Sequence, residues 1–189
     1  MTPETIFWCR VDQPGHEAGR LLSLGSGWQL AGTAVFSDEG NPCSLEYLIE
    51  CDPAWRTVSA RVTGWVGPHA VDLSVVADAA RRWQLNGREC RAVAGCLDID
   101  LAFSPSTNLL PIRRLTLRPG EAAEIRAAWL RFPELVLEPL DQVYRRIDQS
   151  TYRYESGGGA FVAMLRTNAA GFVTSYPGLW EAVDSRPAA

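Results

Sequence analysis

Alternation of apolar and polar residues with a period of two is the strongest pattern in this chain. In the stretch 55–65, WRTVSARVTGW, the residues Val58, Ala60 and Val62 alternate with polar neighbours, and the stretch 43–51, CSLEYLIEC, repeats the pattern. Successive side chains of a strand point to opposite faces, so such alternation predicts strands that are buried on one face only.

Turn signals separate these stretches. The stretch 38–42, DEGNP, provides a turn, and the dipeptide at 86–87, Asn-Gly, suits the two central positions of a tight hairpin. The stretch 112–118 alternates again and is predicted to be a strand that ends at a Pro-Gly pair. The stretch 159–165, GAFVAML, is apolar at most positions and predicts a strand covered on both faces.

Helix signals are weaker. The stretches 71–83, 122–129 and 140–147 fit either a strand or a helix. Many short strands at regular spacing indicate an antiparallel sandwich, roll or barrel, so we predict a mainly β chain with one or two short helices. Aromatic residues are spread over the whole length, which predicts one domain over residues 1–183 and a frayed tail over 184–189.

Composition narrows the function classes. Eighteen basic and 22 acidic residues give a net charge of −4, which argues against nucleic-acid binding. The N-terminal residues lack the pattern of a signal peptide, no run approaches the roughly 20 apolar residues of a membrane span, and the five cysteines suit a reducing compartment. We therefore expect a cytoplasmic protein. With only His16 and His69 and no paired cysteine motif, we expect no metal and no cofactor.

The densest group of unusual residues lies in 95–117, GCLDIDLAFSPSTNLLPIRRLTL, which we call the central segment. Alternation places Asp98 and Asp100 on one face of a predicted strand. It also places either Arg113 or Arg114 near an apolar surface, where a guanidinium needs a carboxylate partner. The sequence therefore predicts an Asp–Arg cluster, with a turn-rich crossing between two strands.

Two interpretations of this cluster stay open. It is either the polar end of a ligand pocket or a structural ion pair that fixes a long connection to the sheet. The candidate ligand-binding residues are Asp98, Asp100, Thr107, Asn108, Arg113 and Arg114. Outside the segment, Tyr152 and Tyr154 share one face and are either an exposed aromatic pair or a pair packed across strands. We expect the arginine doublets at 81–82 and 145–146 to be solvated and not ligand-bound.

A longer pattern resembles a known family. The stretch 83–115, WQLNGRECRAVAGCLDIDLAFSPSTNLLPIRRL, and the later runs QVYRR, YRYES and YPGLW resemble the bacterial family named "putative glycolipid-binding" over nearly the entire chain. The resemblance implies a strongly curved antiparallel sheet, a spiral roll or half-barrel similar to bacterial lipoprotein and lipid carriers. It also implies a lipid or glycolipid ligand, and it brings no catalytic residues.

Three functional hypotheses follow. The favoured one is a binding module in which a curved sheet encloses an apolar ligand and the Asp–Arg cluster holds its polar head. The second is an enzyme that acts on a carbohydrate or lipid conjugate through Asp98 or Asp100. The third is a structural module that forms a homodimer through a sheet edge. A pocket next to the cluster distinguishes the first two hypotheses from the third.

Overall fold

The structure, a computed structural model, describes residues 2–183, whose strands form one sheet of fifteen strands. The predicted tail at 184–189 lies outside these residues. In chain order the strands are β1 (Glu4–Arg10), β2 (Gly15–Leu24), β3 (Gly27–Asp38), β4 (Asn41–Cys51), β5 (Thr57–Val66), β6 (His69–Ala77), β7 (Trp83–Leu85), β8 (Arg88–Glu89), β9 (Ile99–Leu101), β10 (Ala122–Arg131), β11 (Val136–Arg146), β12 (Thr151–Ser156), β13 (Phe161–Thr167), β14 (Val173–Tyr176) and β15 (Trp180–Ala182). The helix α1 covers Leu109–Leu115, and short 3-10 turns cover 91–93, 106–108 and 157–159.

The sheet consists of two meanders: the first contains β1–β8, the second contains β9–β15, and β1 and β15 join them at the centre. Its strand order is β8-β7-β6-β5-β4-β3-β2-β1-β15-β14-β13-β12-β11-β10-β9, so β1 and β15 pair in the middle. Neighbours are antiparallel except β9 and β10, which are parallel. The sheet curves strongly without closing into a barrel, which confirms the predicted mainly β, curved-sheet fold. The edge strands β8 and β9 have only two and three residues, and short edges limit pairing with other chains.

Alternation predicted β4 correctly, because Leu45, Tyr47 and Ile49 are all buried. In β5 the prediction for Val58 was wrong. Glu50 of β4 pairs with Ser59, whereas Cys51 pairs with Thr57, so one residue of β5 is extra at this point. Such a bulge turns the side chains before it to the opposite faces. Val58 is consequently exposed, and Thr57 is buried in its place.

Two further predictions concern the hairpin and the apolar strand. The hairpin at Asn86 and Gly87 is confirmed, with φ angles of 49° and 75°. The prediction that β13 is covered on both faces was wrong, because Val162 and Met164 are 46% and 42% exposed. The sheet therefore has an outer face open to solvent along β13. The three ambiguous stretches are mostly strand, in β6, β7, β10 and β11.

The predicted strand at 112–118 is a helix instead, and α1 occupies most of it. Leu109, Leu110 and Ile112 are all buried. Two consecutive buried residues cannot share one face of a strand, whereas a short helix packed in the interior buries both. Pro111 is tolerated because it lies in the first turn, where its missing N–H group has no helical acceptor. The helix ends at Thr116, which has a φ of 46°.

The central segment crosses the concave side of the sheet. Phe103 packs against Phe36 of β3 with ring centroids 6.5 Å apart, and Ser104 hydrogen-bonds to Glu17 of β2. Further along, Asn108 bonds to Tyr144 of β11, on the other meander. The side chains of this segment thus fill the space beneath the sheet. In residues 2–183, no helix has both the length and the apolar character that a membrane span requires.

Candidate ligand-binding site

Asp98 and Arg114 form the predicted carboxylate–guanidinium pair. The Nε and Nη2 atoms of Arg114 donate to the two carboxylate oxygens at 2.9 Å and 2.5 Å, and the side chains are 15% and 1% exposed. Burial raises the pKa of Asp98, and the hydrogen bonds from Arg114 oppose that shift. The residues on either side bind β5: Thr57 N–H donates to the Leu97 carbonyl, and Ile99 N–H donates to the Thr57 hydroxyl. The pair therefore fixes the segment where it crosses to the first meander.

Arg81 reinforces the same junction. Its guanidinium donates to the carbonyls of Cys96, Thr57 and Leu97 at 3.0, 2.8 and 3.1 Å. The prediction of a solvated doublet was therefore wrong for Arg81, whereas Arg82 forms an exposed pair with Asp78. Arginines that bind backbone carbonyls in this way hold loops in place. The contacts around Asp98 favour the structural interpretation of this half of the cluster.

Asp100 has different surroundings. Gln142 Nε2 donates to Asp100 Oδ2 at 2.5 Å, so its closest partner is an amide. Burial raises the pKa of Asp100 to about 6, the hydrogen bonds from Gln142 and Thr107 oppose the shift, and the charge of Asp98 adds to it. The Thr107 hydroxyl also accepts the Leu101 N–H at 3.2 Å, which keeps the segment folded around this carboxylate. Asp100 is thus a carboxyl group whose pKa lies well above the usual range for aspartate.

Asp100 lines a cleft of ≈260 Å³ at one end of the central segment, which we call the aromatic cleft. Its aromatic lining is formed by Trp129, Tyr154, Phe161, Tyr176 and Trp180. Its polar lining includes Asp100, Ser104 and Asn108. Tyr154, Phe161 and Tyr176 pack edge to face or tilted, with ring centroids 6.0 to 6.2 Å apart. The cleft therefore combines ring faces with a carboxylate.

The wall around Asn108 is tied to the second meander. Tyr144 donates its hydroxyl proton to Asn108 Oδ1 at 2.8 Å, and Asn108 Nδ2 donates to the Pro105 carbonyl at 3.3 Å. These two bonds orient the amide at the cleft. Tyr152 and Tyr154, which the sequence left as either an exposed pair or a pair packed across strands, are both buried, which favours packing. Curvature brings their face to the inside of the sheet.

Behind the aromatic cleft lies a carboxylate that sequence reasoning missed. Glu17 Oε1 accepts hydrogen bonds from the Tyr47 and Ser104 hydroxyls, both at 2.6 Å, and its Oε2 has no partner among the described residues. Burial raises the pKa of Glu17 to about 7, against the opposing effect of these hydrogen bonds. The sequence pattern that could have revealed Glu17 is its alternation with Gly19 and Leu21 along β2, since all three lie inward.

Arg113 lies at the opposite end of α1 from Asn108. Its guanidinium carbon is 5.0 Å from the ring centroid of Trp55 and 6.0 Å from that of Trp28, and these two rings stack at 4.2 Å. The six candidate residues therefore separate into three places. Asp98 and Arg114 form the ion pair, Asp100, Thr107 and Asn108 lie in or beside the aromatic cleft, and Arg113 lines another cleft.

Fold and clefts together define a class: an open, strongly curved antiparallel sheet whose crossing segment leaves an aromatic cleft at one end. The chain belongs to the family described as "Putative glycolipid-binding", whose profile matches residues 5–182. It is also similar to the crystal structure of a DUF1089 family protein from Pseudomonas aeruginosa. That similarity has a TM-score of 0.80 and 37% sequence identity, and it covers 91% of this chain and 94% of the other. No curated protein matches this sequence.

Proposed function

We propose that the protein binds a glycolipid and that the aromatic cleft receives its sugar. The observation that carries this proposal is the joint lining of one cleft by five aromatic residues and the carboxyl group of Asp100. A sugar ring has apolar C–H faces that pack on aromatic rings and hydroxyl groups that donate to carboxylates. The description of the family supports the same class of ligand.

The size of the cleft limits how much of the ligand it encloses. Its ≈260 Å³ is below the roughly 300–1,000 Å³ of typical small-molecule sites. The concave space beside it is filled by the buried side chains of Leu101 and Phe103. The proposal therefore places the sugar inside and the acyl chain outward, past Phe161, which is 37% exposed at the rim. Asp100 and Asn108 are the polar contacts of the bound sugar.

The remaining candidate residues have supporting roles in this proposal. Thr107 holds the fold around Asp100, and the pair of Asp98 and Arg114 fixes the segment that carries both. Such residues position the binding groups without touching the ligand. Contacts of this kind keep a site within the narrow geometric range that recognition requires.

The lining of the cleft favours binding over hydrolysis. Asp100 is the only carboxylate among the described residues that line the aromatic cleft. Hydrolysis of a glycosidic bond normally uses a pair of carboxyl groups about 5 to 10 Å apart. Asp98, the other carboxylate of the motif, is fully engaged by Arg114. The site therefore fits a sugar-binding role better than the enzymatic alternative.

Titration with an alkyl glucoside below its micelle concentration, followed by calorimetry, tests the proposal. Phe161→Ala removes a ring from the rim, and we expect about tenfold weaker binding, because burying a Phe side chain contributes roughly 1.5–3 kcal/mol. Met164→Ala is the matched control on the same strand, since Met164 is exposed and lies outside the cleft. Absence of saturable binding, or equal losses in both variants, would refute the proposal.

A further inference from the structure

A second cleft lies at the other end of α1, with a volume of ≈550 Å³, and we call it the arginine cleft. Arg113, Arg146, Tyr152, Thr116 and Asn168 are among its lining residues. It shares no lining residue with the aromatic cleft. Among the described residues, none that lines it is an aspartate or a glutamate. Two arginines therefore line one concave site that has no lining carboxylate among the described residues.

Arg113 is held in place but leaves its N–H groups free. Within residues 2–183 it makes no hydrogen bond and no ion pair, and it rests on the Trp55 ring. Gly171 passes close behind it: a Cβ atom there would lie 3.0 Å from Arg113 Cδ. Gly171 has a φ of +95°, so both the space and the backbone angle require glycine at this position. The guanidinium is thus oriented by packing, and none of its five donors has a hydrogen-bond partner among the described residues.

Arg146 is fixed by hydrogen bonds. Its guanidinium donates to the carbonyls of Leu117, Asp148 and Gln149 at 2.7, 2.9 and 2.6 Å. Carbonyl groups are neutral, so these bonds orient the cation without cancelling its charge. The carboxylate of Asp148 is occupied elsewhere, because it accepts the backbone N–H groups of Ser150 and Thr151. Arg146, which the sequence predicted to be solvated, is thus only partly exposed and tied to the backbone.

Backbone strain accompanies this arrangement. Trp55 has a φ of 65° and Thr116 a φ of 46°, and both line the arginine cleft. A left-handed backbone is unfavourable for a bulky or β-branched residue, and strained residues cluster at ligand sites. The Trp55 ring lies under Arg113, and Thr116 follows the last residue of α1. Both strained residues therefore line the cleft, as strained residues at ligand sites often do.

We propose that the arginine cleft binds a phosphate monoester. Guanidinium forks match the oxygen geometry of phosphate, and a monoester carries about −1.5 to −2 charges at pH 7, which complements two cations. A carboxylate would compensate only one of them. The ≈550 Å³ leaves space for the organic group beside the phosphate. This site is separate from the sugar site, and a neutral glucoside does not probe it.

Calorimetric titration with inorganic phosphate at low ionic strength provides the first arm of the test. We expect saturable binding by the wild-type protein and at least about tenfold weaker binding by Arg113→Gln. Arg145→Gln is the matched control, since Arg145 is the exposed neighbour of Arg146, lies outside the cleft and removes the same charge. We expect this control to bind phosphate within about twofold of the wild type. Arg113→Lys keeps the charge and loses the fork, so it serves if the glutamine variant does not fold, with about threefold weaker binding expected.

Flotation with vesicles forms the second arm and separates two sources of the phosphate. Capture by phosphatidic acid vesicles but not by phosphatidylcholine vesicles, lost in Arg113→Gln, identifies a lipid phosphate. Phosphate binding without capture identifies a soluble phosphate ester. Either result supports the site. It is overturned if neither probe binds, or if the Arg113 and Arg145 variants lose affinity equally, because nonspecific charge would then explain the binding.

Discussion

Replacement of Glu17 by glutamine tests the electrostatics of the interior directly. Glu17 is 1% exposed, and among the described residues only one of its two carboxylate oxygens has hydrogen-bond donors, from Tyr47 and Ser104. Its pKa is raised to about 7, chiefly because burial disfavours the charged form. Glutamine keeps the shape and an acceptor oxygen but never ionises. The variant therefore removes the titration and little else.

The pKa values set the magnitude of the effect. In the unfolded chain Glu17 titrates near 4.5, so the folded state holds the proton more tightly. The stability from this group is fully present below pH 4.5 and is lost as pH rises to about 7. One pKa unit corresponds to about 1.36 kcal/mol, which gives a total of about 3 kcal/mol. Between pH 5 and pH 8.5 the expected loss from Glu17 is about 2.5 kcal/mol.

Urea denaturation at pH 5 and pH 8.5, followed by tryptophan fluorescence under reducing conditions, measures this loss. From pH 5 to pH 8.5, the free energy of unfolding of the wild type should fall by about 2.5 kcal/mol more than that of Glu17→Gln. Asp100 titrates in both proteins, so its contribution cancels in the comparison. Glu46→Gln is the control, because Glu46 is exposed on β4, and it should behave as the wild type does.

Equal pH dependence in Glu17→Gln and in the wild type would refute this reasoning. It would mean that the Glu17 carboxylate is stabilised as well in the interior as in water. The variant would then differ from the wild type by the same free energy of unfolding at both pH values. Packing alone would then explain the position of Glu17.

Two further predictions concern the central segment. Arg114→Met leaves the buried Asp98 carboxylate without its partner and should lower the free energy of unfolding by about 3–5 kcal/mol in urea denaturation, whereas a change below 1 kcal/mol would show that the pair is dispensable. Glucoside binding should weaken about tenfold from pH 8 to pH 5 as Asp100, with its pKa of about 6, is protonated and accepts fewer hydroxyl donors. Calorimetry at both values checks this, and Asp100→Asn should bind with the same affinity at each pH.

Local patterns predicted the elements whose burial is decided by immediate neighbours. The alternation of β4 and the Asn-Gly hairpin at 86–87 are of this kind. The bulge at Val58 depends on how β4 and β5 align, and no pattern within β5 marks it. The helix α1 was mispredicted because the alternation over 112–118 left out Leu109 and Leu110, which the helix buries together. Their burial depends on packing beneath the sheet, which alternation does not display.

In the candidate site, too, contacts within one segment were easier to predict than contacts between distant parts of the chain. An ion pair between one aspartate and one arginine of this segment was predictable, since a buried guanidinium needs a carboxylate, but its members, Asp98 and Arg114, were not. The aromatic cleft was not, because Asp100 meets Tyr154 and Trp180 only through the curvature of the sheet. Glu17 and Ser104 are 87 positions apart in the chain. Contacts across such distances are properties of topology, and a single sequence does not display them.

The pairing of β1 with β15 has a consequence for folding kinetics. Within each meander, neighbouring strands are also neighbours in sequence, and the antiparallel pairs are hairpins that close quickly; β9 and β10 are instead parallel and are joined through α1. The seam instead joins Trp8 to Ala182 and Arg10 to Trp180. Closing a loop of about 170 residues costs roughly 4.5 kcal/mol of chain entropy in the absence of other contacts. We therefore expect the seam to form after the meanders have shortened this loop, and more slowly than any single hairpin.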